Sequence, residues 1–135
     1  MSTPFIFRIT AEQILYDVNF LAKAYAGKDD GDGVHEPGEG RGDPSMVKVS
    51  EVGPIPPGVY RIRGAERHPT AGNWVMRLEP LPGTETFGRS GFLIHGDSIA
   101  RPGTGSKGCI VTGLSTRIFI AGKVAVGQDT LEVQP

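Results

Sequence analysis

Glycine and proline interrupt this chain too often for it to build long helices. Twenty of its 135 residues are glycine and eleven are proline. Glycine weakens a helix interior and proline breaks one, so short strands joined by turns are favoured. The intervals between the breakers carry strand patterns. Phe5-Ile6-Phe7-Arg8-Ile9, Val59-Tyr60-Arg61-Ile62-Arg63, Asn73-Trp74-Val75-Met76-Arg77-Leu78, Gly91-Phe92-Leu93-Ile94-His95 and Asp129-Thr130-Leu131-Glu132-Val133 all read as strands. Val52-Gly53-Pro54-Ile55-Pro56-Pro57-Gly58 reads as a rigid turn, and Leu81-Pro82-Gly83-Thr84 as another. Gly108-Cys109-Ile110-Val111 is a short apolar segment. Leu114 to Ala121 fits one or two helical turns, with Ser115 as N-cap and Gly122 as stop. Two stretches stay open: Thr10 to Gln13 fits a turn or the start of a short helix, and Val18 to Tyr25 fits a helix or a strand. The pattern predicts a mainly β chain with one or two short helices, in a single domain spanning 1–135.

Residues 27–45, GKDDGDGVHEPGEGRGDPS, are rich in glycine and acid. Such a segment buries little surface and is predicted to be a long exposed loop. It would serve either as a lid or as a surface excursion without a role.

Charge and composition exclude several classes. A net charge of -1 is not the basic footprint of a nucleic-acid binder. No apolar run approaches a membrane span. The opening MSTPFIFRITAEQ lacks the basic and apolar regions of a signal peptide. A lone cysteine forms no internal disulfide, and three scattered histidines beside it make a structural zinc site unlikely. Asp30-Gly31-Asp32-Gly33-Val34 begins like a calcium loop, but Val34 is apolar and Arg41 stands where the closing glutamate belongs. Gly103 to Gly108 resembles a phosphate loop without its Gly-Lys-Ser/Thr end. No metal and no cofactor is expected.

The stretch GRSGFLIHGDSIARPGTGSKGCIV, residues 88–111, carries the chemistry. A strand ends on His95, Gly96 permits a sharp exit, and a Pro- and Gly-rich loop leads to Ser106-Lys107-Gly108-Cys109. A free thiol is a poor nucleophile near neutral pH until a base takes its proton. His95 is the candidate base and Cys109 the candidate nucleophile. Gly108 would let backbone amides turn toward a developing oxyanion. The positive charge of Lys107 would favour the thiolate.

His-Gly followed by Ser-x-Gly-Cys-[Ile/Val] resembles the signature of L,D-transpeptidase domains, the YkuD-like fold. The nearest branch is that of type VI secretion L,D-transpeptidase effectors. The similarity includes Tyr25-Ala26-Gly27, Gly40-x-Gly42-Asp43-Pro44, Val52-Gly53-Pro54-Ile55-Pro56-x-Gly58-x-Tyr60, Gly88-Arg89-Ser90-Gly91-Phe92-x-Ile94-His95-Gly96-Asp97 and Ser106-Lys107-Gly108-Cys109-Ile110-Val111. Lys107 replaces the histidine of mainstream members, Ile110-Val111 departs from the residues that usually follow the cysteine, and the spacer from His95 to Cys109 is shorter. These departures favour the effector branch.

The resemblance implies a YkuD-like β-sandwich and peptidoglycan stem tetrapeptides as substrate. Cys109 would attack at the diaminopimelate–D-Ala bond, with His95 as base. The backbone carbonyl of Gly96 would orient the imidazole, and the amides of Gly108 and Cys109 would form the oxyanion hole. The acyl-enzyme would pass to water, to a D-amino acid or to a second stem. An effector would leave without a Sec signal peptide, act in the periplasm of a target bacterium, and meet a secretion-apparatus carrier and a periplasmic immunity protein. Asp97 would bind the diaminopimelate amino group or cap its turn. Arg89 would clamp a carboxylate or lie solvated. Ser90, Ser106 and Lys107 would contact substrate or support their loops. His35 and His68 read as exposed loop residues, Trp74 as core or cleft wall, and Arg41-Gly42-Asp43 as a chance tripeptide. The rival functions are a non-catalytic cell-wall binding module and a housekeeping or phage cysteine peptidase with another substrate.

Overall fold

The computed structural model describes residues 3–31, 36 and 38–135. Among them run β1 (Phe5–Arg8), β2 (Gln13–Tyr16), β3 (Asn19–Ala26), β4 (Gly58–Ile62), β5 (Glu66–His68), β6 (Gly72–Pro80), β7 (Leu93–His95), β8 (Ile110–Thr112), the helix α1 (Leu114–Ala125) and β9 (Thr130–Gln134). The mainly β expectation holds, with one helix of three turns.

The strands form one sheet in the order β4-β9-β1-β2-β3-β8-β7-β6-β5. Since β4 also pairs with β6, the sheet closes on itself and β5 extends β6 at its other end. Closure removes the open edges that would otherwise invite foreign strands. Most pairings are antiparallel; β1–β9 and β7–β8 are parallel. Alternation decides which face points inward. Phe5 and Phe7 of β1, Tyr60 and Ile62 of β4, Met76 and Leu78 of β6, and Leu131 and Val133 of β9 are buried in one apolar cluster. Arg61 and Arg77, the residues between them, are exposed. Each fully buried large apolar side chain contributes on the order of 1.5–3 kcal/mol.

Several local expectations change. Val18 to Tyr25 resolves as strand, because β3 finds ladders on both sides, β2 and β8. Thr10 to Gln13 is a turn into β2 rather than a helix start. The helix is capped by Gly113, not Ser115, and continues through Gly122. The 27–45 segment is not simply exposed. Gly27, Glu39 and Gly40 are buried, and the Lys28 carbonyl accepts from the amides of Gly40 and Arg41. A 3-10 turn at Pro44–Met46 is capped by Asp43. The stretch 32–35, with His35, lies outside the described residues.

The Pro-rich turn at 52–58 is packed inward: Gly53, Pro54, Ile55 and Pro56 are all buried. Tyr60, 0% exposed, donates its hydroxyl to the Pro56 carbonyl at 2.8 Å. Tyr60→Phe leaves that carbonyl without its donor. The expected cost is about 1–3 kcal/mol of unfolding free energy, read by urea denaturation; an unchanged midpoint would show that the bond contributes nothing.

Candidate active site

The parallel pairing of β7 with β8 sets His95 beside Val111, two residues after Cys109. A parallel connection needs a crossover, and here residues 96–109 supply it. Ile94 pairs with Ile110 and His95 with Val111. Cys109 immediately precedes β8, two residues before Val111. Strand alternation carried one residue back from β8 would put its side chain on the face of Val111 and His95.

His95 Nδ1 donates to the carbonyl of Gly96 at 2.7 Å. Only the Nδ1–H tautomer fits this bond, so the Nε2 lone pair stays available. Burial pushes the imidazole below its ordinary pKa; the Gly96 bond opposes this, and the charge of Arg117 adds to it. The ring is neutral near pH 7. His68, expected in an exposed loop, is half-buried on β5, and its field also reaches His95. Its Nδ1 accepts from the amides of Thr70 and Ala71.

The half-buried Cys109 thiol points at the Gly91 carbonyl, Sγ to O 3.8 Å. Burial pushes its pKa up, while the Leu93 amide and the charge of Arg89 pull it down. The thiol is protonated at rest. The charge acting on it is Arg89, not the exposed Lys107 that the sequence suggests.

Arg89 is 9% exposed, so it is not solvated. Three of its five N–H donors go to main-chain carbonyls: Nη1 to Val47 at 2.6 Å and Pro54 at 2.9 Å, Nη2 to Gly53 at 2.9 Å. The guanidinium lies under Gly108, where φ is +137° and a Cβ would come within 2.5 Å of Nη2. No side chain fits there.

Ser106, 2% exposed, ties the nucleophile loop together. Its hydroxyl accepts from the amides of Gly27 and Gly108, each at 3.0 Å, and donates to the Cys109 carbonyl at 2.7 Å. The Gly108 amide, expected at the oxyanion hole, is engaged by the Ser106 hydroxyl in this structure. Asp97 accepts from the Tyr25 hydroxyl at 2.6 Å and from the amides of Ser98 and Gly103, both at 2.8 Å. Burial raises its pKa, but these bonds outweigh it and hold it below the usual carboxylate range. The turn-capping role is the one its contacts show. Tyr25 also accepts from the Gly105 amide at 2.9 Å, pinning both ends of the 97–105 loop. Ser90 and Lys107 are exposed beside the site.

Sequence reading noted Tyr25 only within the Tyr25-Ala26-Gly27 similarity, without a role, and missed Arg117. Arg117, 9% exposed, reaches from α1 to the carbonyls of Thr112 at 3.1 Å and Asn73 at 2.7 Å. A Cβ on Gly96 would meet its Nη2 at 2.7 Å. Trp74 is 41% exposed and walls a shallow apolar groove with Ile118 and Ala121, so it is not core. Arg41 of the chance tripeptide pairs with Glu12 at 2.7 Å and stacks over Tyr25 at 4.1 Å. Asp29, Asp30 and Glu39 bring oxygens within 4.8 Å of one another. Both Glu39 oxygens there accept backbone amides, from Asp30 and Glu36.

A model of the Tlde1 domain family matches residues 34–132. The chain is similar to the crystal structure of Mycobacterium tuberculosis L,D-transpeptidase 1, with a TM-score of 0.53 and 18% identity over 97% of this chain and 60% of that one. The chain thus spans under two thirds of that structure, and at this identity the likeness shows the fold. No curated protein matches the chain.

A buried neutral thiol predicts slow alkylation at neutral pH. Iodoacetamide labelling of Cys109 should speed up with pH through a midpoint above that of free cysteine. A plateau already reached at pH 6–7 would reveal a stored thiolate and contradict this charge state.

Proposed function

This chain belongs to the Tlde1 domain family, and on that footing we propose that it is a peptidoglycan-modifying enzyme of the type VI effector kind, with Cys109 as nucleophile and His95 as general base. The observation that carries the reading is the bond from His95 Nδ1 to the Gly96 carbonyl, which leaves Nε2 unprotonated, on a strand whose parallel neighbour begins one residue after Cys109.

Rotation about the Cys109 Cα–Cβ bond swings Sγ from the Gly91 carbonyl toward the imidazole, since each staggered position is a low-energy well. His95 Nε2 takes the thiol proton as sulfur attacks the carbonyl of the diaminopimelate–D-Ala bond. Lys107 and the Cys109 amide remain as donors for the oxyanion. The imidazolium returns the proton to the leaving D-Ala amine, giving a thioester. Water, a D-amino acid or another stem then resolves it. Neutral starting partners suit this cycle, because His95 must accept a proton first and give it back later. The substrate places the work in the target cell's periplasm. An immunity protein and a secretion carrier follow from the effector class.

Incubation with disaccharide tetrapeptide, followed by mass analysis, tests the reading. The expected result is loss of D-Ala by the parent protein and no loss by Cys109→Ala or His95→Ala. Turnover persisting in a folded Cys109→Ala protein would refute the nucleophile. Absence of turnover in the parent would favour a cell-wall binding module.

A further inference from the structure

We infer that Arg117 is a positioning residue for His95: gripped by main-chain carbonyls of β6 and β8, its guanidinium backs the Gly96 peptide whose carbonyl orients the imidazole. The inference rests on the catalytic reading proposed above and names a residue that serves the base without touching substrate.

Strand order explains the placement. β7 lies between β6 and β8 and is three residues long, so His95 sits at its last position. The ladder to β6 ends at Met76–Ile94 and the ladder to β8 at Val111–His95. Gly96, whose carbonyl accepts from His95 Nδ1, lies beyond both ladders.

Arg117 closes this end of the sheet. Its Nε donates to the Thr112 carbonyl at the end of β8, 3.1 Å, and its Nη1 to the Asn73 carbonyl of β6, 2.7 Å. The guanidinium thus spans from β8 to β6 across the exit of β7. Gly96 lies against it: a Cβ there would come within 2.7 Å of Nη2 and 3.2 Å of Cζ. Only a residue without Cβ fits, and the rigid guanidinium plane limits how far the Gly96 peptide can move toward α1.

β6 is distorted to meet this cation. Between the pairs Glu66–Val75 and His68–Gly72, β6 advances three residues while β5 advances two, which is a bulge. Within it Trp74 holds φ at +55°, a conformation that a bulky side chain keeps only where its surroundings impose it. In a regular strand successive carbonyls point toward different neighbours. Here those of Asn73 and Trp74 both face Nη1, at 2.7 and 3.5 Å. The strained turn therefore supplies acceptors to Arg117.

Position and charge act together. Burial is the largest influence lowering the pKa of the His95 ring; the Gly96 bond and Asp97 oppose it, and the charges of Arg117 and of His68 on β5 add to it. The Cys109 thiol, on the β8 side, is uncharged at rest. Removing the Arg117 charge raises the pKa of His95. A base that must start neutral then fails from a higher pH, so the acid limb of kcat/KM moves up.

The test compares Arg117→Gln, Arg117→Lys and Gly96→Ala with the parent, by pH profiles of D-Ala release from disaccharide tetrapeptide and by long-range ¹H–¹⁵N correlation of the His95 ring. Arg117→Gln should lower kcat about 10- to 100-fold with KM nearly unchanged, as expected for a reacting group displaced by about 1 Å. Its acid limb and its His95 midpoint should both move to higher pH. Arg117→Lys keeps the charge without the planar fork, so it should hold the midpoint near the parent's and recover only part of kcat. Gly96→Ala should lower kcat in the parent but little further in Arg117→Gln, where the shorter side chain leaves room for the methyl. A parental kcat and pH profile in Arg117→Gln, or a lower kcat with the ring's tautomer and midpoint unmoved, would overturn the inference. If Arg117→Gln does not fold, a fully parental kcat in Arg117→Lys would overturn it. A parent that releases no D-Ala while the ring responds as stated would sink only the catalytic reading; a working parent whose ring ignores Arg117→Gln would sink only the role of Arg117.

Discussion

A short parallel ladder, two residue pairs between β7 and β8, brings the His95 strand alongside the segment that follows Cys109. Parallel neighbours run in the same direction, so the chain must travel back before it can pair. The 97–105 loop makes that return, and Tyr25 and Asp97 pin it. The ladder sets the strand that ends on His95 beside the one that follows Cys109.

Two buried arginines flank this ladder, and among the described residues neither is paired with a carboxylate. Each instead gathers main-chain carbonyls from distant segments. Arg89 joins the 47–54 region to the ground beneath Gly108, and Arg117 joins β6 and β8 to α1. Burial lowers the pKa of both, an effect too small to deprotonate a guanidinium. Both therefore act as fixed positive charges, one favouring the thiolate and the other disfavouring imidazolium. A protonated thiol beside a neutral imidazole is the combination those fields and the burial leave at rest.

Much of this was legible in the residues. Two-residue alternation at Val59 to Arg63 foretold which side chains enter the core, because a closed sheet buries one face only. The His-Gly and Ser-x-Gly-Cys motifs located the site, since each glycine sits where a Cβ would strike an arginine. The arginine roles were not legible. Their acceptors are backbone carbonyls far away in sequence, and such acceptors leave no side-chain signature. Arg117 reads locally as a surface helix residue. β5 was missed because Glu66-Arg67-His68 is polar and lies at the sheet's margin. The helix start was misplaced because Ser115 has the stronger capping side chain, whereas Gly113 adopts the extended ψ of 165° that begins the helix.

The central claim is a neutral His95 protonated on Nδ1 and free at Nε2 beside a protonated thiol. Long-range ¹H–¹⁵N correlation of the His95 ring across a pH series measures tautomer and charge together. The account predicts Nδ1–H at neutral pH and a titration midpoint below the ordinary histidine value, so that the ring gains its proton only as pH falls further. An Nε2–H tautomer, or a ring still charged at pH 7, would contradict it.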